Sequence, residues 1–290
     1  LRPEFQALSA TLRQQFLSRI ESVVGRPYGE ELTYPQTFNQ NTYLAKVDWN
    51  AGRQTRISVR DNFTNFENGN NQSLNHFSNQ GTENNKFNQL VGQATMVLAD
   101  RLTNSITVEH LRDERPIDPV SRGPEIQVSG ITTGAQFFGQ NDFLPNNTKE
   151  TKTQVKDTLQ YVMGRHTLKA GTDLLFGHID NLFPRNANGV FLYSTPQAFV
   201  DGVPNSFRQG YGAGGGLTSW DQNTYAFFGA DSIRVSPRMT VDVGVRYDWQ
   251  TMPRPAANVF PQHPEFITQI TEDKNNVAPR IGFAYTPGGS

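Results

Sequence analysis

The chain has 290 residues, long enough for one large β domain or two ordinary ones, and its 26 basic and 27 acidic residues nearly cancel. That balance gives no reason to expect a nucleic-acid groove, and the absence of cysteine excludes a disulfide framework, a thiol nucleophile and a Cys-type zinc site. No apolar run is long enough for a transmembrane helix, but a mean hydropathy of -0.57 also suits a membrane β-barrel, whose strands turn alternate residues to water.

Leu1-Arg2-Pro3-Glu4 shows neither an initiator Met nor the pattern of a signal peptide, so the sequence reads as a mature piece or an internal fragment. Residues 3 to 24 follow as the one convincing helix. Phe5, Leu8, Leu12, Phe16 and Ile20 recur at helical spacing, and Gly25 and Pro27 end the run. The expectation is an amphipathic surface helix packing one apolar stripe.

Paired strands begin after a turn-rich stretch at 26–40. Tyr43, Ala45, Val47 and Trp49 alternate with Thr42, Leu44, Lys46 and Asp48, and past a turn at Gly52 the return strand sets Ile57, Val59 and Phe63 against Arg56, Ser58, Arg60 and Asn62. Residues 67–86 are so rich in Asn, Gln, Ser and Gly that they read as a long polar loop. A second hairpin carries Leu90, Ala94, Met96 and Leu98, turns at 100–103, and returns through Ile106, Val108 and Glu109. Another long connection, 113–150, holds Pro116, Pro119, Pro124 and Pro145.

The third hairpin sets Val155, Leu159, Tyr161 and Met163 against Lys152, Gln154, Lys156, Thr158 and Gln160, turns at Gly164-Arg165, and returns with Leu168, Ala170, Leu174 and Phe176 opposite Lys169, Gly171, Asp173 and Gly177. Segment 180–222 is again long, with a short strand expected at Gly189–Tyr193 and a flexible glycine tract at 210–216. In the fourth hairpin, beyond Ser236-Pro237-Arg238, the alternation has no fault. Val241, Val243, Val245, Tyr247 and Trp249 fall on one side; Thr240, Asp242, Gly244, Arg246 and Asp248 fall on the other. After a proline-bearing connection at 250–274, Val277, Ile281, Phe283 and Tyr285 oppose Ala278, Arg280, Gly282 and Ala284.

Turns fall near 52, 101, 164, 237 and 288, and a long connection separates each from the next. Antiparallel strands wound in one direction put all short turns at one end and all long loops at the other, the asymmetry of transmembrane β-barrels. Strands of about ten residues also fit a tilted crossing of the hydrocarbon layer. A β-sandwich has short loops at both ends, and a propeller would show a repeated blade motif. Asp157 and Asp231 share parity with the apolar rows. Each sits six or seven residues before a short turn on a strand running the same way, which suggests either an interfacial level or a bulge that resets the register.

With the hairpins laid out, four stretches carry a resemblance: Thr224 to Trp249, Asp273 to Tyr285, Asp157 to Gly171, and Asn41 to Asp48. Together they resemble TonB-dependent outer-membrane receptors, specifically the Oar-like group with a carboxypeptidase-regulatory-like N-terminal domain. Ala230, where Gln is usual, and Ile233, where Trp is usual, are small departures. The resemblance implies a barrel of roughly 22 strands around an N-terminal plug, coupled through a TonB box to the inner-membrane energy complex. About nine principal strands are counted here, so it implies a mid-barrel fragment: an outer-loop segment at 1–40 with the helix, then a partial barrel at 41–290. The expected partners are outer-membrane lipid, the plug and remaining strands, the TonB complex through the plug, and a solute. No cofactor or nucleic acid is expected.

No catalytic arrangement emerges. The histidines are scattered, His178-Ile179-Asp180 reads as a polar strand end, and Gly212, Gly214 and Gly216 precede no helix that would make them a dinucleotide fingerprint. The lumen row comprises Lys46, Asp48, Arg56, Arg60, Glu109, Lys156, Lys169, Asp173, Asp242, Arg246, Asp248 and Arg280. These residues either solvate the wall and pair across strands or contact the plug or a passing solute. Tyr43, Trp49, Tyr161, Tyr247, Trp249 and Tyr285 are expected in aromatic girdles at the membrane interfaces. Import of a solute through a plugged barrel is the leading expectation. A surface adhesion barrel without transport is the alternative, and a soluble β-sandwich binding protein the third.

Overall fold

Strict two-residue alternation over long stretches leaves the backbone little choice but extended pairing. The computed structural model describes residues 3–25, 35–69, 76–131, 134–211, 213–253 and 273–287. In chain order these give α1 (Pro3–Gln6), α2 (Ala10–Val24), β1 (Thr37–Asn50), β2 (Thr55–Gly69), β3 (Gly81–Ala99), β4 (Leu102–Pro119), β5 (Glu125–Ser129), β6 (Ala135–Gly139), β7 (Asn146–Met163), β8 (His166–Leu182), β9 (Val190–Tyr193), α3 (Pro196–Asp201), β10 (Ser206–Arg208), β11 (Leu217–Ser236), β12 (Met239–Gln250) and β13 (Val277–Tyr285).

Nine strands make one antiparallel sheet in the order β1-β2-β3-β4-β7-β8-β11-β12-β13, so each long strand lies beside the next along the chain. All short turns therefore share one end. Gly164, at φ 60, takes the left-handed conformation that a two-residue turn requires at its first position. Register shifts at Val97/Ala99 and Arg234/Ser236 bulge two strands just before their turns. β1 and β13 are the sheet's edges, so these strands do not close a barrel by themselves.

At the long-loop end a second sheet, β10-β9-β5-β6, is assembled from two connections, and β5 pairs with β9 in parallel. Here lies the principal core of buried apolar residues. Phe16 and Ile20 of α2 and Phe5 pack with Ile126, Val128, Ile131, Phe138, Tyr193 and Phe199. Phe16 meets the Phe199 ring at 5.1 Å and the Phe138 ring at 6.1 Å. Burying a phenylalanine of this kind stabilises by about 1.5–3 kcal/mol, enough to hold a four-turn helix against a small sheet. Ser9 caps α2 by accepting from Leu12 N at 3.2 Å, and Gly25, at φ 75, ends it.

Several expectations change. The helix is two pieces, broken at 7–9 where Ser9 turns the chain into α2. The polar stretch 67–86 is strand at both ends, because β2 runs to Gly69 and β3 starts at Gly81. Likewise β4 runs to Pro119, β7 starts at Asn146, β8 runs to Leu182 and β11 starts at Leu217. The short strand expected at Gly189–Tyr193 is present as β9. A 3-10 turn at Ala213–Gly216 ends the glycine tract. The connection expected at 250–274 falls mostly outside the described residues.

Candidate functional site: the polar face of the sheet

Register decides which residues share a face. Reading partners across the sheet, Trp49, Ile57, Ala94, Ile106, Asp157, Thr172, Phe227, Tyr247 and Val277 form one unbroken line through all nine strands. One residue along, Asp48, Ser58, Gln93, Thr107, Lys156, Asp173, Ala226 and Asp248 form another, on the opposite face. Over the half of the sheet nearer the short turns, one side is therefore mainly apolar and the other polar.

The apolar side is open to the surroundings. Val47 is 67% exposed, Ile281 81% and Phe283 78%. The six aromatics expected at the membrane interfaces, Tyr43, Trp49, Tyr161, Tyr247, Trp249 and Tyr285, all lie on this side of the sheet. Toward the long-loop end Tyr43 stacks with Phe63 (6.3 Å) and Trp249 with Tyr225 (5.1 Å), with Phe176 edge-on to Tyr225 at 5.9 Å. Trp49, Tyr161 and Tyr285 lie next to the short turns, and Tyr247 beside Phe227. Asp157 and Asp231 stand on this face as well, and the register runs through both without a bulge, which removes that explanation. Each has a lateral partner instead. Asn104 Nδ2 donates to Asp157 at 2.7 Å, and His166 Nδ1 lies 2.6 Å from Asp231.

The polar side carries the twelve charged candidates. Two groups form among them. Near the first turn, Asp48 sits between Lys46 (2.9 Å) and Arg56 (3.9 Å). Further along, the Arg246 guanidinium pairs with Asp248 (2.9 Å) on its own strand and reaches across β11 to Asp173 (3.9 Å) on β8. Ala226, between them on β11, is fully buried. Its small side chain lets the arginine span three strands.

Neutral amides extend these groups sideways. Gln154 donates to Asp173 at 2.6 Å, Gln89 to Glu109 at 2.8 Å, and Asn62 to Gln89 at 3.3 Å. Glu109 and Gln154 are register partners, so a polar belt crosses from β2 to β12. Half-exposed pairs of this kind are worth about 0–1 kcal/mol each, so the belt does more to fix where charges stand than to stabilise the fold. Arg60, Lys156, Lys169, Asp242 and Arg280 lie on the same face and make no ion pair with a described residue.

A second polar cluster went unanticipated. At the long-loop end the Glu125 side chain, 1% exposed, accepts from Asn79 Nδ2 (3.0 Å), Asp142 N (2.9 Å) and Gln127 Nε2 (2.6 Å), and Asn141 donates to Asn79 at 3.1 Å. Burial pushes the Glu125 carboxyl above its ordinary value, and Asp142 beside it shifts the same way for the same reason. The cluster ties two connections together, the one between β2 and β3 and the one between β4 and β7. The only sequence signal was the short alternation of Ile126 and Val128 with Glu125 and Gln127. Among the described residues no group of three or more His, Asp or Glu side chains is placed to hold a metal ion. His178 contacts Asp221 at 2.6 Å and Asp180 at 3.4 Å.

A long antiparallel meander with one exposed apolar face, aromatic edges, a polar opposite face and all short turns at one end is the wall of a transmembrane β-barrel. The family model for the outer membrane beta barrel domain matches residues 22–290, and the chain belongs to that family. It is a protein of the outer membrane. Its fold is similar to the outer membrane transporter YddB from Escherichia coli (TM-score 0.54, 15% identity, covering 84% of this chain and 29% of that one). It is also similar to FpvA of P. aeruginosa, solved in a pyoverdine–iron complex (TM-score 0.55, 12% identity, covering 87% of this chain and 34% of that one). The chain thus spans about a third of the length of these structures. At these identities the likeness is one of fold. No curated protein matches.

Proposed function

We propose that this chain is part of the barrel wall of a TonB-dependent outer-membrane receptor of the Oar-like group, which imports a solute past a plug domain. In this reading the polar face lines the barrel interior, and the remaining strands pair with β1 and β13. The observation that carries it is the belt of charges and amides across the polar face, because a wall that only had to be wet needs no arginine reaching over a buried alanine to a third strand. Arg246, Asp173 and Asp248 contact the plug or the solute, and the unpaired Arg60, Lys156, Lys169 and Arg280 offer further cationic contacts. The protein is a transporter and no enzyme.

A second reading, an adhesion barrel without transport, draws support from the folded assembly of α2 and the small sheet, which gives the long-loop end a rigid surface. Two observations separate the readings. The coding sequence upstream of this segment carries a plug and a TonB box if the transport reading holds; a signal peptide joined directly to the barrel would contradict it. Uptake of the solute by cells bearing the complete gene stops when the inner-membrane energy complex is removed. For an adhesion barrel, surface binding persists without it.

A further inference from the structure

The four short turns between described strands each carry one arginine: Arg53, Arg101, Arg165 and Arg238. All four are exposed, and the only acid among the turn residues is Asp100. The apolar face runs down to these turns, with Leu98, Met163 and Val235 all exposed within two residues of one. In an outer-membrane barrel this end faces the periplasm, so the arginines stand level with the headgroups of the inner leaflet.

The apolar face above two of these turns is not flat. Gly229 and Ala170, register partners on β11 and β8, leave a groove of about 560 Å³ walled by Leu159, Tyr161, Leu168 and Val245. A side chain at Gly229 would meet nothing within 4 Å, so the groove is empty space in the protein surface. Its lower wall, Tyr161 and Leu168, adjoins the Gly164-Arg165 turn, and Arg165 Nη1 donates to Val235 O (3.5 Å) at the end of β11. That contact links the Gly164-Arg165 turn to the end of β11.

We infer that this is a site for a single anionic phospholipid of the inner leaflet, with one acyl chain in the groove at Gly229 and Ala170 and the headgroup phosphate at Arg165 and Arg238. The two halves of the argument are independent. The groove is mostly apolar, its one carboxylate being Asp231, which faces His166 at 2.6 Å, and its width is set by two small residues. The rim below it is cationic, and neither Arg165 nor Arg238 makes an ion pair with a described residue. A soluble acidic partner would use the arginines but leave the groove without an occupant.

The test uses the complete outer-membrane protein purified in mild detergent, with retention of phosphatidylglycerol against phosphatidylcholine measured by native mass spectrometry. The wild type favours phosphatidylglycerol by about fivefold or more, the increment expected of one well-engaged basic residue near a phosphate. Arg165→Gln with Arg238→Gln brings the two lipids to near equality. Gly229→Leu, which fills the groove, weakens both lipids and leaves their ratio intact. Heat-modifiable gel mobility confirms that each variant is a folded barrel, and the Arg165→Gln single variant, with half the effect, serves if the double variant fails to fold. An unchanged lipid ratio in the arginine variants, or unchanged retention of both lipids in Gly229→Leu, would overturn the site.

Discussion

Gly171 shows how closely single residues are specified. A Cβ built there would collide with the Asp157 backbone carbonyl and lie 2.6 Å from the Phe228 ring, which leans over the glycine from the next strand. The carbonyl cannot yield without moving β7, so Gly171→Ala should destabilise the barrel by about 1–3 kcal/mol, read from the urea midpoint of folding into lipid vesicles. The lipid-face carboxylates make a second case. Asp157 keeps a donor in Asn104, and removing only that donor leaves a polar group to face hydrocarbon. Asn104→Leu is expected to cost about 1–3 kcal/mol, whereas Asn104→Leu with Asp157→Leu recovers most of the loss. A double variant as damaged as the single one would show that Asp157 is hydrated from the interface and needs no partner.

Among the elements, α2 with its small sheet is the part that behaves as a conventional globular core. Phe16→Ala removes the ring shared by Phe5, Phe138 and Phe199 and should cost about 3–5 kcal/mol of local stability, lost as hydrogen-exchange protection in β5 and β6 while β8 and β11 stay protected. The same sheet should respond to pH through Glu125 and Asp142. Their folded values are raised above the ordinary 4.5 and 3.8 by burial. As pH rises past those ordinary values the unfolded segment releases its protons first. Stability of the small sheet therefore falls through that window and levels off once the folded carboxyls ionise. Protection factors in β5 that rose with pH over this range would contradict the assignment.

The same elements show what the sequence made legible. Val241 to Trp249 and Val155 to Met163 were readable because one face meets an apolar medium and the other water, which imprints a period of two. That imprint vanishes where β2, β3 and β4 rise past the apolar band. There Glu67, Asn84, Lys86 and Glu114 stand on the same side that carries Val59 and Leu90 lower down. Both faces are polar, so strand looks like loop. The small sheet was hidden for another reason, since β5 finds its parallel partner in β9 across an intervening hairpin, and local pattern holds no trace of so distant a pairing. Of the polar face, membership was readable from parity. The reach of Arg246 over Ala226 to Asp173 was not, because it depends on two crossings between strands far apart in the chain.

For the whole molecule, everything rests on the two faces meeting different media, and the chain is well suited to a direct test because it contains no cysteine. Single cysteines placed in turn at 241 to 248 and 279 to 283 of the complete protein, with any cysteine outside these 290 residues first replaced by serine, can be offered a water-soluble charged maleimide and a lipid-soluble one in liposomes. The account predicts strict alternation: Asp242, Gly244, Arg246, Arg280 and Gly282 positions take the charged reagent, and Val241, Val243, Val245, Ile281 and Phe283 positions take only the lipid-soluble one. Equal labelling of both rows by the charged reagent, or apolar positions closed to both reagents as in a soluble sandwich core, would contradict it.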